Sequence, residues 1–297
     1  MYRPPASRED RIEILHQAIV AYPLAMLVTS GACGISANLV PFTLQSDAGE
    51  RGILHAHLAK ANSQLADLRA GAEALVIFQG PQAYVSLSWY PTKRLDGKVV
   101  PTWNYVMVQA RGRPIVIDDP DWLRRQIDAL TRQQERYQPE PWFVADAPAA
   151  YIDGQLKGIT GIEIAIERIE GKWKASQNHP SANKAGVVDG LMAQNPLSPM
   201  ALIMHSLADS RAWKSSPFQA NYVERPMVPM HLIAILFLSL SGMLHDPLAA
   251  HFFRRSTRCG DGRARRRRAN KEVGLEWRRS SSLSGQSPHL VASMAQG

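Results

Sequence analysis

Short apolar runs, most alternating with polar residues and bounded by Gly, Pro, Asp or Asn, dominate the first two-thirds of the chain. LAMLVTS (24–30), ISANLVPFTL (35–44) and GILHAHL (52–58) read as strands, with Gly31, Gly34, Asp47 and Gly49 between them. EALVIFQG (73–80), QAYVSLS (82–88) and NYVMVQARG (104–112) continue the series. Gly80-Pro81 is expected to break the first two of these, giving a bend or hairpin. ITGIEIAIERIEG (159–171) alternates through Ile162, Ile164, Ile166 and Ile169 and slips by one near its end. Such a slip predicts a bulge or a change of surface. KWKASQ then reads as a second strand across Gly171.

Helical spacing is rarer. Residues 8–21 place Ile12, Leu15, Ala18 and Ile19 on one face, with Ser7 or Asp10 as the expected cap. A short helix is expected at 61–70, and a longer one at 120–137 with Trp122, Leu123, Ile127 and Leu130 as its inner stripe. A Pro-rich stretch at 139–148 leads to a short helix at 149–156, and helices at about 181–193 and 198–209 close the body. Many short strands with few helices between them predict a β-rich α+β fold with a closed or half-closed barrel rather than a doubly wound sheet. No GxGxxG or Walker sequence is present.

Residues 1–210 are expected to form one domain and 211–297 an irregular, basic extension. Charge marks the boundary. The formal net charge of +8 belongs wholly to the extension, because Lys+Arg and Asp+Glu nearly cancel over 1–210. After Pro217, Pro226 and Pro229 comes an apolar run, Met230–Leu244, which falls short of the roughly 20 residues that span a bilayer. RARRRR (263–268) and a serine-rich stretch follow. Three readings stand: an extension with no selected fold, which is preferred, a tail anchor with a positive flank, and a nucleic-acid arm. Cys33 and Cys259 are too few for a disulfide framework and suit a reducing cytosol. The start, MYRPPASRED, has no apolar core after it and predicts no secretory signal.

Four polar-aromatic blocks carry the candidate chemistry: HAHLAKAN (55–62), FQGPQAYVSLSWY (78–90), VPTWNY (100–105) and KWKASQN (172–178). A plain core strand does not need that mixture, whereas a pocket for a flat, phosphorylated ligand does. Lys60 can answer a phosphate while Asn62 starts the short helix, or Lys60 is simply an exposed cation beside a capping Asn. A strand Asn is disfavoured unless its amide is used, so Asn104 either satisfies buried backbone groups or bonds a ligand edge. In KWKASQN, alternation sets Lys172, Lys174 and Ser176 against Trp173, Ala175 and Gln177. Lys174 and Ser176 are the better candidates, and a solvated face explains Lys172. His55 and His57 share a strand face, but no third ligand stands at metal-site spacing, and no nucleophile–base pair is evident.

With the MYxPP start, the HxAxAN box, FQGP-x-AYVS, VPTWNY, the KxSQN box and AGVVDGL at 185–191, the chain resembles the PaiB-type FMN-binding negative transcriptional regulators from Met1 to about Ala208. The resemblance implies a split β-barrel of the pyridoxamine-phosphate-oxidase-like type, a homodimer, and FMN at the subunit interface. It also implies repression of transcription, in bacilli of sporulation and protease genes. By carry-over, Lys60, Asn62, Trp103, Asn104, Lys174, Ser176 and Gln177 are the FMN-contacting positions. The chain departs from the pattern at Ser7, Leu65 and Leu87, where the family has an aromatic residue, a Trp and a Pro. A flavin-dependent oxidoreductase is the alternative activity. Direct DNA contact fits poorly with the near-neutral body. The cytoplasm is the expected location.

Overall fold

The computed structural model describes residues 1–208 apart from Cys33, so the apolar run and the basic cluster of the extension lie outside the described residues. The ten strands of the described residues all pair antiparallel, in two sheets. The larger sheet has the order β1 (Arg8–Glu9), β10 (Arg168–Lys174), β7 (Thr102–Gly112), β6 (Ala74–Val85), β2 (Leu24–Gly31), β3 (Gly34–Pro41). The smaller has the order β4 (Thr43–Gln45), β5 (Ile53–Ala59), β9 (Ile159–Ala165), β8 (Pro114–Ile117). Consecutive strands pass from one sheet to the other four times: β3 to β4 at Phe42, β5 to β6 through the short helix α2 (Leu65–Arg69), β7 to β8 at Arg113, and β9 to β10 at Ile166-Glu167. These corners fold both sheets around one core holding Leu27, Val40, Phe42, Leu54, Phe78, Val108, Ile162, Ile164 and Trp173. The fold is a β-rich α+β split barrel with peripheral helices.

Alternation explains which residues meet the core. In β7, Asn104, Val106, Val108 and Ala110 point inward, with Trp103, Tyr105 and Met107 turned outward. β5 is covered on both sides: Leu54, Ala56 and Leu58 face the barrel core, and His55 and His57 face helix α4 (Pro120–Glu135). Leu123 of α4 joins Val144, and Ile152 and Leu156 of α5 (Ala149–Leu156), in a separate small cluster.

Four expectations need correction. Gly80-Pro81 does not end a strand: β6 runs through it, with a register shift between Gln79 and Gln82. The bulge absorbs the proline, which has no N–H to give the ladder. A Cβ on Gly80 would lie 3.0 Å from Val106 Cβ, so this close approach favours glycine. The break near the end of ITGIEIAIERIEG is a change of sheet at Ile166-Glu167, and Gly171 lies inside β10. α1 (Ile12–Ala21) starts later than the pattern predicts, because Arg8–Glu9 pairs with β10 as β1. Arg11, not Ser7 or Asp10, stands at its N-cap. Asn62 does not cap the following helix. Its Oδ1 accepts from Gln64 N–H at 2.9 Å, closing a turn before α2 (Leu65–Arg69).

Among the described residues, no helix is long and apolar enough to cross a membrane, and no group of three or more His, Cys, Asp or Glu could hold a metal ion.

Candidate functional site

The end of the larger sheet, where β6, β7 and β10 finish together, gathers most of the singled-out residues. β10 stops at Lys174, and Ser176 then takes φ 58°, a left-handed conformation that L-residues seldom adopt. That turn carries Ser176 off the face of the two lysines and into the interior, where it is 3% exposed. Asn104, wholly buried, holds it: Asn104 Nδ2 donates to Ser176 Oγ at 3.0 Å, and Ser176 Oγ lies 3.2 Å from Asn104 Oδ1. Asn104 Nδ2 also reaches Met204 Sδ at 3.5 Å, from helix α7 (Pro199–Ala208). The amide is thus engaged by the side chains of Ser176 and Met204, not by the buried backbone groups expected of it.

Gln177 belongs to the same turn. Its Oε1 accepts from Ala175 N–H at 2.7 Å, and its Nε2 donates to the Trp173 carbonyl. Both ends of its amide therefore brace the backbone. Lys174 is half-buried and donates from Nζ to Thr102 Oγ1 at 2.5 Å. His179 packs on Tyr90 with ring centroids 5.2 Å apart. Burial, and then the charge of Lys174, holds His179 below its ordinary pKa. Burial pushes the Tyr90 hydroxyl up, with Ser176 opposing it. Trp103 is half-exposed and meets Tyr84 edge-on at 5.8 Å. Lys172 lies 5.4 Å from the ring centres of both Tyr2 and Tyr105, so its charge rests on aromatic faces.

Lys60 and Asn62 stand elsewhere, just past the end of β5 in the smaller sheet. Lys60 is exposed; its N–H donates to Gly158 O at 2.9 Å, and its charge helps lower the pKa of Asp118 after the larger effect of the Thr160 hydroxyl. No hydrogen bond among the described residues ties either to the Asn104–Ser176 cluster. Within one chain, then, the structure brings together Asn104, Lys174, Ser176 and Gln177, sets Trp103 beside them on β7, and puts Lys60 and Asn62 after a strand of the other sheet.

Sequence reasoning missed Thr102, Tyr90, His179 and Met204. Thr102 and Tyr90 lie within blocks already marked, and His179 directly follows KWKASQN. Met204 carries no local signal. AGVVDGL is explained by packing: Gly186 and Gly190 of α6 (Ser181–Gln194) lie against Trp89, where a Cβ at either would collide with it.

A second polar assembly lies on the outer face of β5. His57 Nδ1 is 2.7 Å from Gln126 Oε1, and His55 Nε2 is 3.1 Å from Glu163 Oε2. His55 also packs on Trp122 at 5.0 Å between ring centres. Burial lowers the pKa of both histidines, against Glu163 at His55 and against Gln126 at His57. A buried Gln in the inner stripe of α4 was the available sequence signal for this network.

Residues 1–168 match the family described as "Putative FMN-binding domain". An uncharacterized protein of Emericella nidulans is 35% identical over 226 residues, covering 64% of this chain and 90% of that protein. The protease synthase and sporulation protein PAI 2 of Bacillus subtilis is 32% identical over 158 residues, covering 53% of this chain and 72% of that protein. Similar proteins therefore occur in fungi as well as in a bacterium. Among solved structures, the FAD and heme binding protein of Mycobacterium smegmatis aligns with a TM-score of 0.44 and 19% identity, over 57% of this chain and 73% of that one.

Proposed function

We propose, from the premise that the chain belongs to the FMN-binding domain family and has FMN as its cofactor, that it is a negative transcriptional regulator of the PaiB type. In this reading it works as a cytoplasmic homodimer that holds FMN between its subunits. The observation that carries the reading is the family match over residues 1–168 together with the buried Asn104–Ser176 pair, which fixes the KxSQN turn beside Lys174.

The donor set suits the cofactor. Lys174, half-buried and tethered through Thr102, would hold the phosphate as a charge-assisted donor, and Trp103 would flank the ring. Asn104 and Gln177 would act one step back, by keeping the turn in shape. Lys60 and Asn62 of one copy would complete the site built on Lys174 of the other, in line with their place after a strand of the other sheet. An apolar outer face on β2 and β3, with Leu24, Met26, Ile35 and Leu39 exposed, supports a second copy packing against the barrel. When bound, FMN supplies an isoalloxazine ring that can accept electrons.

Regulation through a protein or metabolite partner fits the near-neutral charge of residues 1–210 better than direct DNA contact by the barrel. That same charge favours a second reading, a flavin-dependent oxidoreductase using NAD(P)H or a small molecule. The full chain, purified and examined for bound flavin, separates the two. Bound FMN that NAD(P)H does not bleach anaerobically, with a shift of promoter DNA alone or with a partner, is the expected result. Bleaching at a catalytic rate would move the assignment to the enzyme, and a colourless protein that takes up no added FMN would end both readings.

A further inference from the structure

A cavity of about 220 Å³ opens between β4, β5 and α4, on the far side of β5 from the barrel core. About 150 Å³ already accommodates a benzene-sized ring, so this space exceeds what a single bridging water requires. Its lining includes Gln45, His55, Trp122, Arg125, Gln126 and Gln133.

One buried donor of the lining is unmet. Gln126 is 3% exposed; its Oε1 is occupied by His57 Nδ1 at 2.7 Å, while its Nε2 has no partner among the described residues. Leaving a buried amide N–H unpaired costs about 1–3 kcal/mol, so the site is short of an acceptor. Arg125, at the exposed rim, makes no ion pair with a described residue. Glu163, across β5, is engaged with His55 at 3.1 Å, and Asp128 of α4 with Arg132 at 2.7 Å. The indole of Trp122, packed on His55, supplies a flat apolar wall.

We infer that this cavity binds a small planar carboxylate of benzoate size, its oxygens taken by Arg125 and Gln126 and its ring lying along Trp122. Neither residue belongs to the set placed around Lys174, so the inference stands apart from the flavin site. The histidine–glutamine network below it serves to fix the Gln126 amide: His57 takes the oxygen end and directs the nitrogen end toward the ligand.

The test is a titration of the isotopically labelled full chain with benzoate, followed through the side-chain signals of Gln126 and Arg125 by NMR. The Gln126 signal is assigned by its loss in Gln126→Leu, and the Arg125 signal by its loss in Arg125→Ala. Both are expected to move saturably in the millimolar range, with at least tenfold weaker binding in Arg125→Ala. FMN content should be unchanged in that variant, which removes only a surface-rim side chain and is expected to fold. Benzamide, the neutral isostere, should bind at least tenfold less well than benzoate. No saturable shift, equal binding of benzamide, or unaltered benzoate affinity in Arg125→Ala would overturn the assignment. Failure here with FMN still bound would leave the flavin reading intact, and loss of flavin with benzoate still bound would do the reverse.

Discussion

The two polar assemblies of this barrel solve burial in opposite ways. At the end of the larger sheet, Asn104 and Ser176 satisfy each other, Gln177 closes its own turn, and Lys174 is tethered to Thr102. Under α4, His57 engages only one end of the Gln126 amide, and the Arg125 guanidinium, in no ion pair among the described residues, stands at the rim of the same cavity. The first arrangement is prepared: its polar atoms set a backbone shape and leave one half-buried cation for a ligand. The second is incomplete and leaves space for an acceptor. A paired network fixes geometry, whereas unpaired donors beside a cavity call for something to meet them.

Mutations can break that contrast. Ser176→Val should have the largest effect, because a β-branched residue at φ 58° adds strain to the loss of the Asn104 bond. A loss of about 3 kcal/mol in chemical denaturation is expected, with Ser176→Gly milder since glycine accepts that backbone. Asn104→Leu should cost about 2 kcal/mol by leaving the buried Ser176 hydroxyl without its partner. Gln126→Leu should cost about 1 kcal/mol or less, since it removes an unpaired N–H and His57 is only half-buried. If Gln126→Leu proved as damaging as Asn104→Leu, the two assemblies would not differ as described.

Acidification gives the smallest and most diffuse effect. Burial holds His55, His57 and His179 below their ordinary value of 6.5, so each resists protonation more in the folded chain than in the unfolded one. As pH falls through that value, the unfolded chain takes up protons that the folded one refuses, and stability declines. Glu163, facing His55, moderates the effect there. Denaturation midpoints measured at about pH 7.5 and 5.5 should fall with pH, and His57→Gln should flatten part of that slope. A midpoint that rose on acidification would contradict neutral burial of these rings.

Much of the fold was legible because alternation reports strand faces directly. Period two sets Trp103 and Tyr105 opposite Asn104, and Lys172 and Lys174 opposite Trp173; that Asn104 and Trp173 are the inward ones comes from the fold. Locally ambiguous features misled. Gly80-Pro81 has the chemistry of a turn, yet pairing with β7 on both sides carries the strand through it as a bulge. Ser176 was grouped with Lys172 and Lys174 by alternation, but the strand ends at Lys174 and a left-handed residue reverses the facing. Bonds such as Asn104 to Met204 and His57 to Gln126 join residues 100 and 69 positions apart, and nothing local announces them. That Lys60 follows a strand of one sheet and Lys174 ends a strand of the other was equally invisible, since assignment to sheets is a property of topology.

The central claim is that Lys174 holds the flavin phosphate while Lys172, on the same strand face, rests on aromatic rings. FMN fluorescence titrations of Lys174→Ala and Lys172→Ala, with each stripped of flavin, compare the two directly. The account predicts at least tenfold weaker binding for Lys174→Ala and no more than a twofold change for Lys172→Ala. Equal losses in both, or a larger loss at Lys172, would contradict it.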